Sequence, residues 1–351
     1  MPFRSARFWL VLAVLLTASG VLPIPARAED SPCFTPGTPG CAYGLPAFQY
    51  ELLLGEMVAH PTPNVRPLDV SIRDVQRYTY LQVAREGVTL YNAPGGSPMG
   101  AIDPGFNFVE VINSSGDWVE VERGKWTPRS NLKAVGASTF AGVLIDSELA
   151  YPMAWLLQPT APSEIPGQKP TAGTAILPRY TRVNLFTHVT VGRWRWYLIA
   201  PGQWVEQRQI GKIVPRRKPE GLKGRWISVD LYEQVLVAYE DQRPVFATLI
   251  ASGLPQWPTR EGLFRIWARF VQDGMTGAMG QPDFYSLPAV PYVMYFDEAI
   301  SLHGTYWHDG FGYRHSHGCV NMSVTDSRWL FNWTDNFYRD TYVYVWASGT
   351  Y

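Results

Sequence analysis

The sequence carries little charge for its length. Only 17% of the 351 residues are charged, and 30 basic and 30 acidic side chains give a formal net charge of zero. A nucleic-acid surface needs a basic face or stripe, so this class of partner is not expected. Long helices are also disfavoured, because 29 Pro, 31 Gly and 14 Trp favour short strands and tight turns. We therefore expect two or three folded units of mainly β structure.

The N-terminal apolar run is too short for a membrane-spanning helix. It covers residues 8–18, whereas a spanning helix needs about 20 apolar residues. Arg4 and Arg7 precede the run, and the small-residue pattern at 26–28 follows it, as in a secretory signal. Residues 1–28 are predicted to be a cleaved export signal. The mature protein is then expected in the periplasm or cell wall, with membrane attachment only if the signal stays uncleaved.

The chain has three cysteines, which is an odd number for an exported protein. Cys33 and Cys41 lie in one segment rich in proline and glycine, and they could close a small disulfide loop in an oxidising compartment. Cys319 is then left over. A spare extracellular thiol is open to oxidation, so a chemical role is expected, with an inert buried cysteine as the alternative.

The chain divides by composition and periodicity into successive segments. Short alternating runs, such as Val88–Tyr91, indicate strands joined by turns. Ser323 with an acidic residue three positions later predicts the start of a helix that carries Trp329, Leu330, Trp333 and Phe337. The predicted segments are a proline-rich lead-in at 29–78, a small barrel at 79–137, a second barrel at 138–214, a linker at 215–224 and a third unit at 225–351.

A weak internal repeat relates the two predicted barrels. Trp118, Gly124, Trp126 and Leu132 recur at identical spacing as Trp196, Gly202, Trp204 and Ile210. The segment at 116–132 resembles bacterial Src-homology-3-like domains, and 192–210 is similar to a degenerate second copy. Such barrels often bind wall peptides, so the resemblance implies a targeting role. The alternative is that these tryptophans only fill small cores.

Histidines and a cysteine are concentrated at 303–319. His303, His308, His315 and His317 lie in this stretch with Cys319, although the chain has only six histidines. Acyl transfer at neutral pH needs a thiolate, and a neighbouring imidazole can take the thiol proton. Cysteine with histidine is the smallest set that performs this chemistry.

The motif SHGCVN at 316–321, preceded by His303-Gly304, resembles the signature of the YkuD-type L,D-transpeptidase catalytic domain. Supporting matches run from about Trp226 to Trp346. They include a segment at Thr259–Phe264 that has the spacing of the family's TPxGxF but places Arg260 where proline is common. The resemblance implies a mostly β catalytic domain with one helix after the nucleophile.

The resemblance also implies roles for individual residues. Cys319 would be the acylated nucleophile, His303 its general base, and the Gly304 carbonyl the group that orients His303. His317 would shape the oxyanion loop together with the amides of Gly318 and Cys319. The remaining residues implied to contact substrate are Trp307, Ser316 and Asn321.

The implied reaction acts on peptidoglycan stem peptides. Cys319 would attack the bond after the third residue of a tetrapeptide stem, expel D-alanine and form a thioester. An amine of a neighbouring stem would then complete a 3→3 cross-link. Carbapenems are expected to acylate the thiol, no metal or organic cofactor is required, and a monomer is expected.

Three alternatives remain at this stage. A zinc site could use the histidines and Cys319, although the sequence has no HEXXH motif. The chain could be a non-catalytic wall-binding protein. Water could also replace the amine acceptor, which would make the enzyme an L,D-carboxypeptidase.

Overall fold

The computed structural model describes Cys33, residues 43–281 and residues 283–350. The predicted export signal and Cys41 lie outside this part of the chain. Cys33 is disulfide-bonded, and Cys319 is a free thiol. Among the described residues, no helix combines the length and the apolar character that crossing a bilayer requires.

The first part of the described chain forms two helices and nine strands. Tyr50 and Leu54 lie in α1. The elements are α1 (Ala47–Ala59), β1 (Arg66–Pro67), α2 (Ile72–Val75), β2 (Leu81–Val83), β3 (Val88–Tyr91), β4 (Pro98–Ile102), β5 (Phe106–Val109), β6 (Asn113–Ser115), β7 (Trp118–Glu122), β8 (Lys125–Pro128) and β9 (Leu132–Ala134). Five of the strands form one sheet in the order β4-β3-β8-β7-β6.

The middle of the chain contains seven strands. They are β10 (Val143–Leu144), β11 (Met153–Leu156), β12 (Arg182–Asn184), β13 (Thr187–Val191), β14 (Trp194–Ala200), β15 (Gln203–Glu206) and β16 (Ile210–Lys212). Six of them form two three-stranded sheets, β12-β11-β16 and β13-β14-β15. Both copies of the internal repeat fold alike, as a hairpin, a 3₁₀ turn and a strand that begins at Leu132 or Ile210.

The last part of the chain adds nine strands and one helix. They are β17 (Arg225–Asp230), β18 (Val235–Glu240), β19 (Arg243–Leu249), β20 (Gly262–Arg265), β21 (Ala268–Gly277), β22 (Tyr285–Asp297), β23 (Ile300–Gly304), β24 (Val320–Met322), α3 (Val324–Trp333) and β25 (Tyr342–Trp346). Residues of these strands and of α3, including Ile227, Phe246, Leu302 and Leu330, form one fully buried apolar cluster.

Two seven-stranded sheets organise this part, and upstream strands extend both. One sheet has the order β1-β10-β19-β18-β17-β25-β20. The other runs β24-β23-β22-β5-β2-β9, with β21 also paired to β22. The strands β1, β10, β5, β2 and β9 all come from before residue 145, so backbone hydrogen bonds join the beginning of the chain to its end.

The helix α3 begins where the sequence predicts and ends earlier. The Ser323 side chain accepts a hydrogen bond from the Asp326 N–H at 3.1 Å and caps the helix. The helix ends at Trp333, and Phe337 lies in a 3₁₀ turn at Asp335–Asp340 with half of its surface exposed. Aspartate and asparagine after Thr334 favour turns over continued helix, which explains why the apolar spacing misplaced Phe337.

The prediction of a mainly β protein is confirmed. The Src-homology-3-like character of the two upstream regions and the unit boundaries stay predictions. Val143 and Leu144, near the start of the predicted second barrel, pair with Ala247 and Phe246 of β19 in the third predicted unit.

Candidate active site

The pairing of β23 with β24 places the predicted nucleophile and base on one face of a sheet. The two strands run parallel, with Leu302 opposite Val320 and His303 opposite Asn321. Successive side chains of a strand point to opposite faces. Leu302 and Val320 therefore enter the buried core, while Ser301, His303, Cys319 and Asn321 share the other face.

The Cys319 thiol contacts polar groups of β23 and of the residue just before it. Its Sγ lies 3.7 Å from the Ser301 hydroxyl and 4.0 Å from the Ala299 carbonyl oxygen. Burial raises the pKa of the thiol, and hydrogen bonds from the Ser301 N–H and hydroxyl act in the opposite direction. Because burial dominates, the resting thiol is protonated at neutral pH.

His303 is buried and held in one tautomer. Its Nδ1 lies 3.0 Å from the Gly304 carbonyl oxygen, so Nδ1 carries the proton and donates it there. Burial lowers the pKa of His303 to about 4, although the same carbonyl raises it. At neutral pH the imidazole is therefore uncharged, and its Nε2 is free to accept a proton.

Gly304 cannot carry a larger side chain without a rearrangement. A Cβ at this position would meet the Ser327 hydroxyl of α3 and lie 2.9 Å from Cγ of Pro291. The glycine thus allows β23 to approach α3 closely, and the approach fixes the carbonyl that holds His303.

Ser316 braces the loop before the nucleophile. Its hydroxyl accepts a hydrogen bond from the Gly318 N–H at 3.1 Å and donates one to the Cys319 carbonyl. Gly318 has a φ of +114°, and a Cβ there would lie 2.6 Å from Cδ1 of Ile300. The structure therefore gives Ser316 a bracing contact within the loop, and the Gly318 amide is already paired with it.

Thr259 connects this loop to the chain after β19. The buried Thr259 hydroxyl accepts a hydrogen bond from the Gly253 N–H at 2.9 Å and donates one to the Gly318 carbonyl at 2.7 Å. Arg260, which stands where the family commonly has proline, forms ion pairs with Asp297 and Glu298. The segment Thr259–Phe264 thus contributes a residue to the site that sequence reasoning noted only for its spacing.

His308 and Asn321 form a hydrogen-bonded pair, and Asn321 lies opposite His303 in the pairing of β23 with β24. The His308 Nδ1 accepts from the Gly310 N–H at 3.0 Å, so the proton resides on Nε2. The side-chain amide of Asn321 lies 3.0 Å from that Nε2. An Nε2–H requires an acceptor, so the amide must present its oxygen to His308. Burial lowers the pKa of His308 well below its ordinary value, which keeps this pair neutral.

His317 is held by aromatic rings and a carboxylate. Its ring lies 4.0 Å from the ring of Trp257 and 5.0 Å from that of Tyr285, measured between centroids. Its Nε2 is 3.4 Å from Oδ2 of Asp283. His315 lies two residues earlier in the loop, where its backbone N–H donates to the Ser252 carbonyl at 2.8 Å. Trp257 and Asp283 carry no sequence motif that could have assigned them to the site.

A cavity of about 300 Å³ joins these residues. The predicted residues His303, Trp307, Ser316, His317, Cys319 and Asn321 all line it. Gly304 and Gly318 are not among the lining residues. Residues that sequence reasoning did not place in the site also line the cavity: Arg85, Gly105, Phe106, Leu254, Trp257, Met275, Asp283, Phe284, Tyr285, Leu287 and His315.

The described part of the chain contains no cluster of side chains that could form the zinc site considered above. No three His, Cys, Asp or Glu side chains there lie in an arrangement that could hold a metal ion. His303 Nδ1 and both ring nitrogens of His308 already have protein partners.

Comparisons with known proteins point to one family. Residues 224–345 match the model of the L,D-transpeptidase catalytic domain, YkuD. No curated protein shows significant similarity to the chain.

Among solved structures, an L,D-transpeptidase (Yku) from Stackebrandtia nassauensis is 26% identical over 38% of this chain and 60% of its own length, with a TM-score of 0.30. The catalytic domain from the E. faecium L,D-transpeptidase is 28% identical over 36% of this chain and 99% of that domain, with a TM-score of 0.32. The same domain acylated by ertapenem is also similar, at 28% identity over 36% of this chain and 98% of that domain, with a TM-score of 0.31.

The chain spans only 60% of the Stackebrandtia protein. The match at 224–345 stands independently of the solved structures and coincides with the strands and loop that hold His303 and Cys319. Residues 224–345 therefore form a YkuD-type L,D-transpeptidase catalytic domain.

Proposed function

We propose that the protein is an exported peptidoglycan L,D-transpeptidase that works through a thioester on Cys319. The observation that carries the proposal is the position of Cys319 and His303 on one sheet face and in one cavity, with the Nε2 of His303 free to accept a proton. A cysteine and a neutral histidine in one cleft are the groups that acyl transfer needs. The family match supports the same chemistry.

In the first step the Nε2 of His303 takes the Cys319 thiol proton as Sγ attacks the carbonyl carbon of the third residue of a tetrapeptide stem. The C–N bond then breaks, His303 returns the proton to the leaving D-alanine amine, and a thioester remains. Because Gly318 N–H is paired with Ser316, the Cys319 amide is the remaining backbone donor among the two predicted for the oxyanion.

In the second step an amine of a neighbouring stem attacks the thioester. His303 takes a proton from this amine and gives it to the departing thiolate, which restores the starting pair. The product is the 3→3 cross-link. In the resting structure Cys319 Sγ lies against the Ser301 hydroxyl and the Ala299 carbonyl oxygen.

An L,D-carboxypeptidase is the second candidate function. The cavity is partly walled by polar groups, including Asp283 and His315, which could admit water as the acceptor. A purely wall-binding protein would need neither the braced Cys319 loop nor the fixed His303 tautomer.

The decisive experiment is intact mass spectrometry of the purified protein after incubation with ertapenem, with Cys319→Ala as the matched control. We expect one drug adduct on the wild type and none on the variant. A wild-type protein that stays unmodified, or a variant that is modified equally, would refute the thioester mechanism.

A tetrapeptide donor with and without an amine acceptor then separates the two enzymatic candidates. A cross-linked product supports transpeptidation. Release of D-alanine with only a hydrolysed tripeptide would assign the carboxypeptidase reaction.

A further inference from the structure

Part of the wall around Cys319 comes from outside the catalytic domain. Arg85, Gly105 and Phe106 line the same cavity as His303 and Cys319. All three precede residue 110, whereas the family match begins at residue 224. The sequence of the catalytic domain alone therefore does not describe the complete cavity.

Backbone pairing holds this part of the wall in place. The strand β5 runs parallel to β22, with Phe106 opposite Tyr285 and Asn107 opposite Ser286. The Phe106 N–H donates to the Phe284 carbonyl at 2.8 Å. Two segments that are distant in sequence are thus joined at the edge of the cavity.

Arg85 is attached to this junction through Gly105. The Gly105 N–H donates to the Arg85 carbonyl at 2.9 Å. Gly105 has a φ of +151°, and a Cβ there would meet the Phe284 carbonyl oxygen and lie 3.0 Å from Cδ1 of its ring. Only glycine fits without a shift, so the close approach that brings Arg85 to the cavity depends on this residue.

The guanidinium of Arg85 is available for a ligand. It is the only arginine or lysine among the residues that line the cavity. Within the described chain no carboxylate lies within ion-pair distance of it, and its side chain is exposed. The one carboxylate in the lining, Asp283, is instead 3.4 Å from His317.

We propose that Arg85 binds a free carboxylate of the stem peptide that acylates Cys319, and that the upstream segment thereby selects the acyl donor. This inference rests on the proposed transpeptidase function. Arginine presents a planar set of N–H donors that matches a carboxylate, and such charge-assisted bonds are stronger than neutral ones. Arg85 acts on donor binding and not on the thiol, because β22 lies between the β23–β24 pair and β5, whose start is joined to Arg85 through Gly105.

The test compares Arg85→Gln with the wild type and with Arg123→Gln. Arg123 is an exposed arginine in the turn between β7 and β8 and does not line the cavity. The donors are a tetrapeptide and its analogues in which each free carboxylate in turn is converted to an amide. The readouts are kcat and KM for release of D-alanine, and the rate at which iodoacetamide alkylates Cys319.

We expect Arg85→Gln to raise KM for the free tetrapeptide about tenfold with little change in kcat. One amidated donor should show the same raised KM with the wild type and no further loss with the variant. Arg85→Lys should recover part of the affinity. The alkylation rate, which reports only on the thiol, should stay unchanged, as should every value for Arg123→Gln.

The proposal is overturned if Arg85→Gln keeps the wild-type KM for the free donor, or if its loss is equal for all amidated donors. A reduced alkylation rate in Arg85→Gln would also overturn it, because the residue would then support the thiol site structurally. If the wild type forms no thioester with any donor, the proposed function itself fails, and the ertapenem experiment reports that failure separately.

Discussion

Burial acts on the two reactive residues in the same sense, since it disfavours the charged form of each. It raises the pKa of the Cys319 thiol and lowers that of His303 to about 4. The resting pair is therefore a neutral thiol and a neutral imidazole, not a preformed ion pair. In the proposed mechanism the thiolate forms only as the thiol attacks the substrate, which limits oxidation of the resting protein.

This neutral pair predicts the pH dependence of acylation. Protonation of His303 removes the base, so the rate should fall on the acid side only as the pH approaches about 4, well below the ordinary histidine value. On the alkaline side the change should come above the ordinary thiol value, because the Cys319 pKa is raised. The measurement is the second-order rate of ertapenem acylation from pH 4 to 10. An acid limb centred near 6.5 would contradict the burial argument.

Gly304→Ala tests the contact that fixes the His303 tautomer. The added Cβ would meet Ser327 and Pro291, so we expect a lower melting temperature and a slower acylation rate. Removing the opposing hydroxyl should relieve part of the clash, so Gly304→Ala with Ser327→Ala should recover some of both losses. Ser327→Ala alone is the control. Equal losses in the single and double variants would show that the Ser327 contact is not responsible.

At the scale of elements, the nucleophile loop depends on hydrogen bonds from outside its own strand. Ser316 joins Gly318 to Cys319 within the loop, and Thr259 joins Gly318 to Gly253 in another segment. Both hydroxyls act as donor and acceptor at once. The loop geometry is therefore set by two short side chains that are not themselves reactive.

Thr259→Val tests the second of these connections. Valine keeps the shape but leaves the Gly253 N–H and the Gly318 carbonyl without their partner, at a cost of about 1–3 kcal/mol in the free energy of unfolding. Acylation by ertapenem should slow as well, because the loop that carries Cys319 loses a tether. Thr259→Ser, which keeps the hydroxyl, is the matched control. The measurements are urea unfolding and the rate of acylation by ertapenem. Wild-type values of both for Thr259→Val would show that the Thr259 hydroxyl does not stabilise the loop.

At the scale of the whole molecule, the upstream part of the chain and the catalytic domain share an apolar core. Phe108 of β5 is buried, and its ring lies 5.8 Å from that of Tyr306 and 6.3 Å from that of Trp307. Tyr78 and Tyr80 also stack on Tyr306. Trp307 faces the cavity and lies 5.8 Å from the ring of His303, so an upstream ring supports a wall of the active site.

Phe108→Ala should therefore affect both stability and catalysis. Loss of a buried phenylalanine costs about 3–5 kcal/mol of unfolding free energy. Trp307 would lose its support, so the rate of acylation by ertapenem should fall even at temperatures where the variant is folded. Ile112→Ala, at a position that is 59% exposed in the same segment, should change neither property appreciably. A stable Phe108→Ala protein with normal acylation would show that the shared core is dispensable.

The local signals in the sequence identified much of the catalytic part. The alternating pattern predicted Val88–Tyr91 as a strand with the bounds that the structure has. The Ser323 cap located the start of α3, and the SHGCVN motif singled out Cys319 and its loop. These features depend on neighbours within a few positions, so they can be recognised without the fold. The end of α3 could not, since apolar spacing continued to Phe337 after the helix had stopped.

By itself, then, the sequence determined the candidate site residues, the β-rich character, the strand Val88–Tyr91 and the start of α3, because those depend on residue chemistry and short-range periodicity. Only the tertiary structure decided which distant residues line the cavity or contact its walls: Arg85 lines it, Thr259 bonds the Gly318 carbonyl, and Phe108 packs near Trp307. Such contacts arise from the pairing of β5 with β22 and from packing between units. No local pattern encodes them, since each partner alone looks like an ordinary polar or apolar residue.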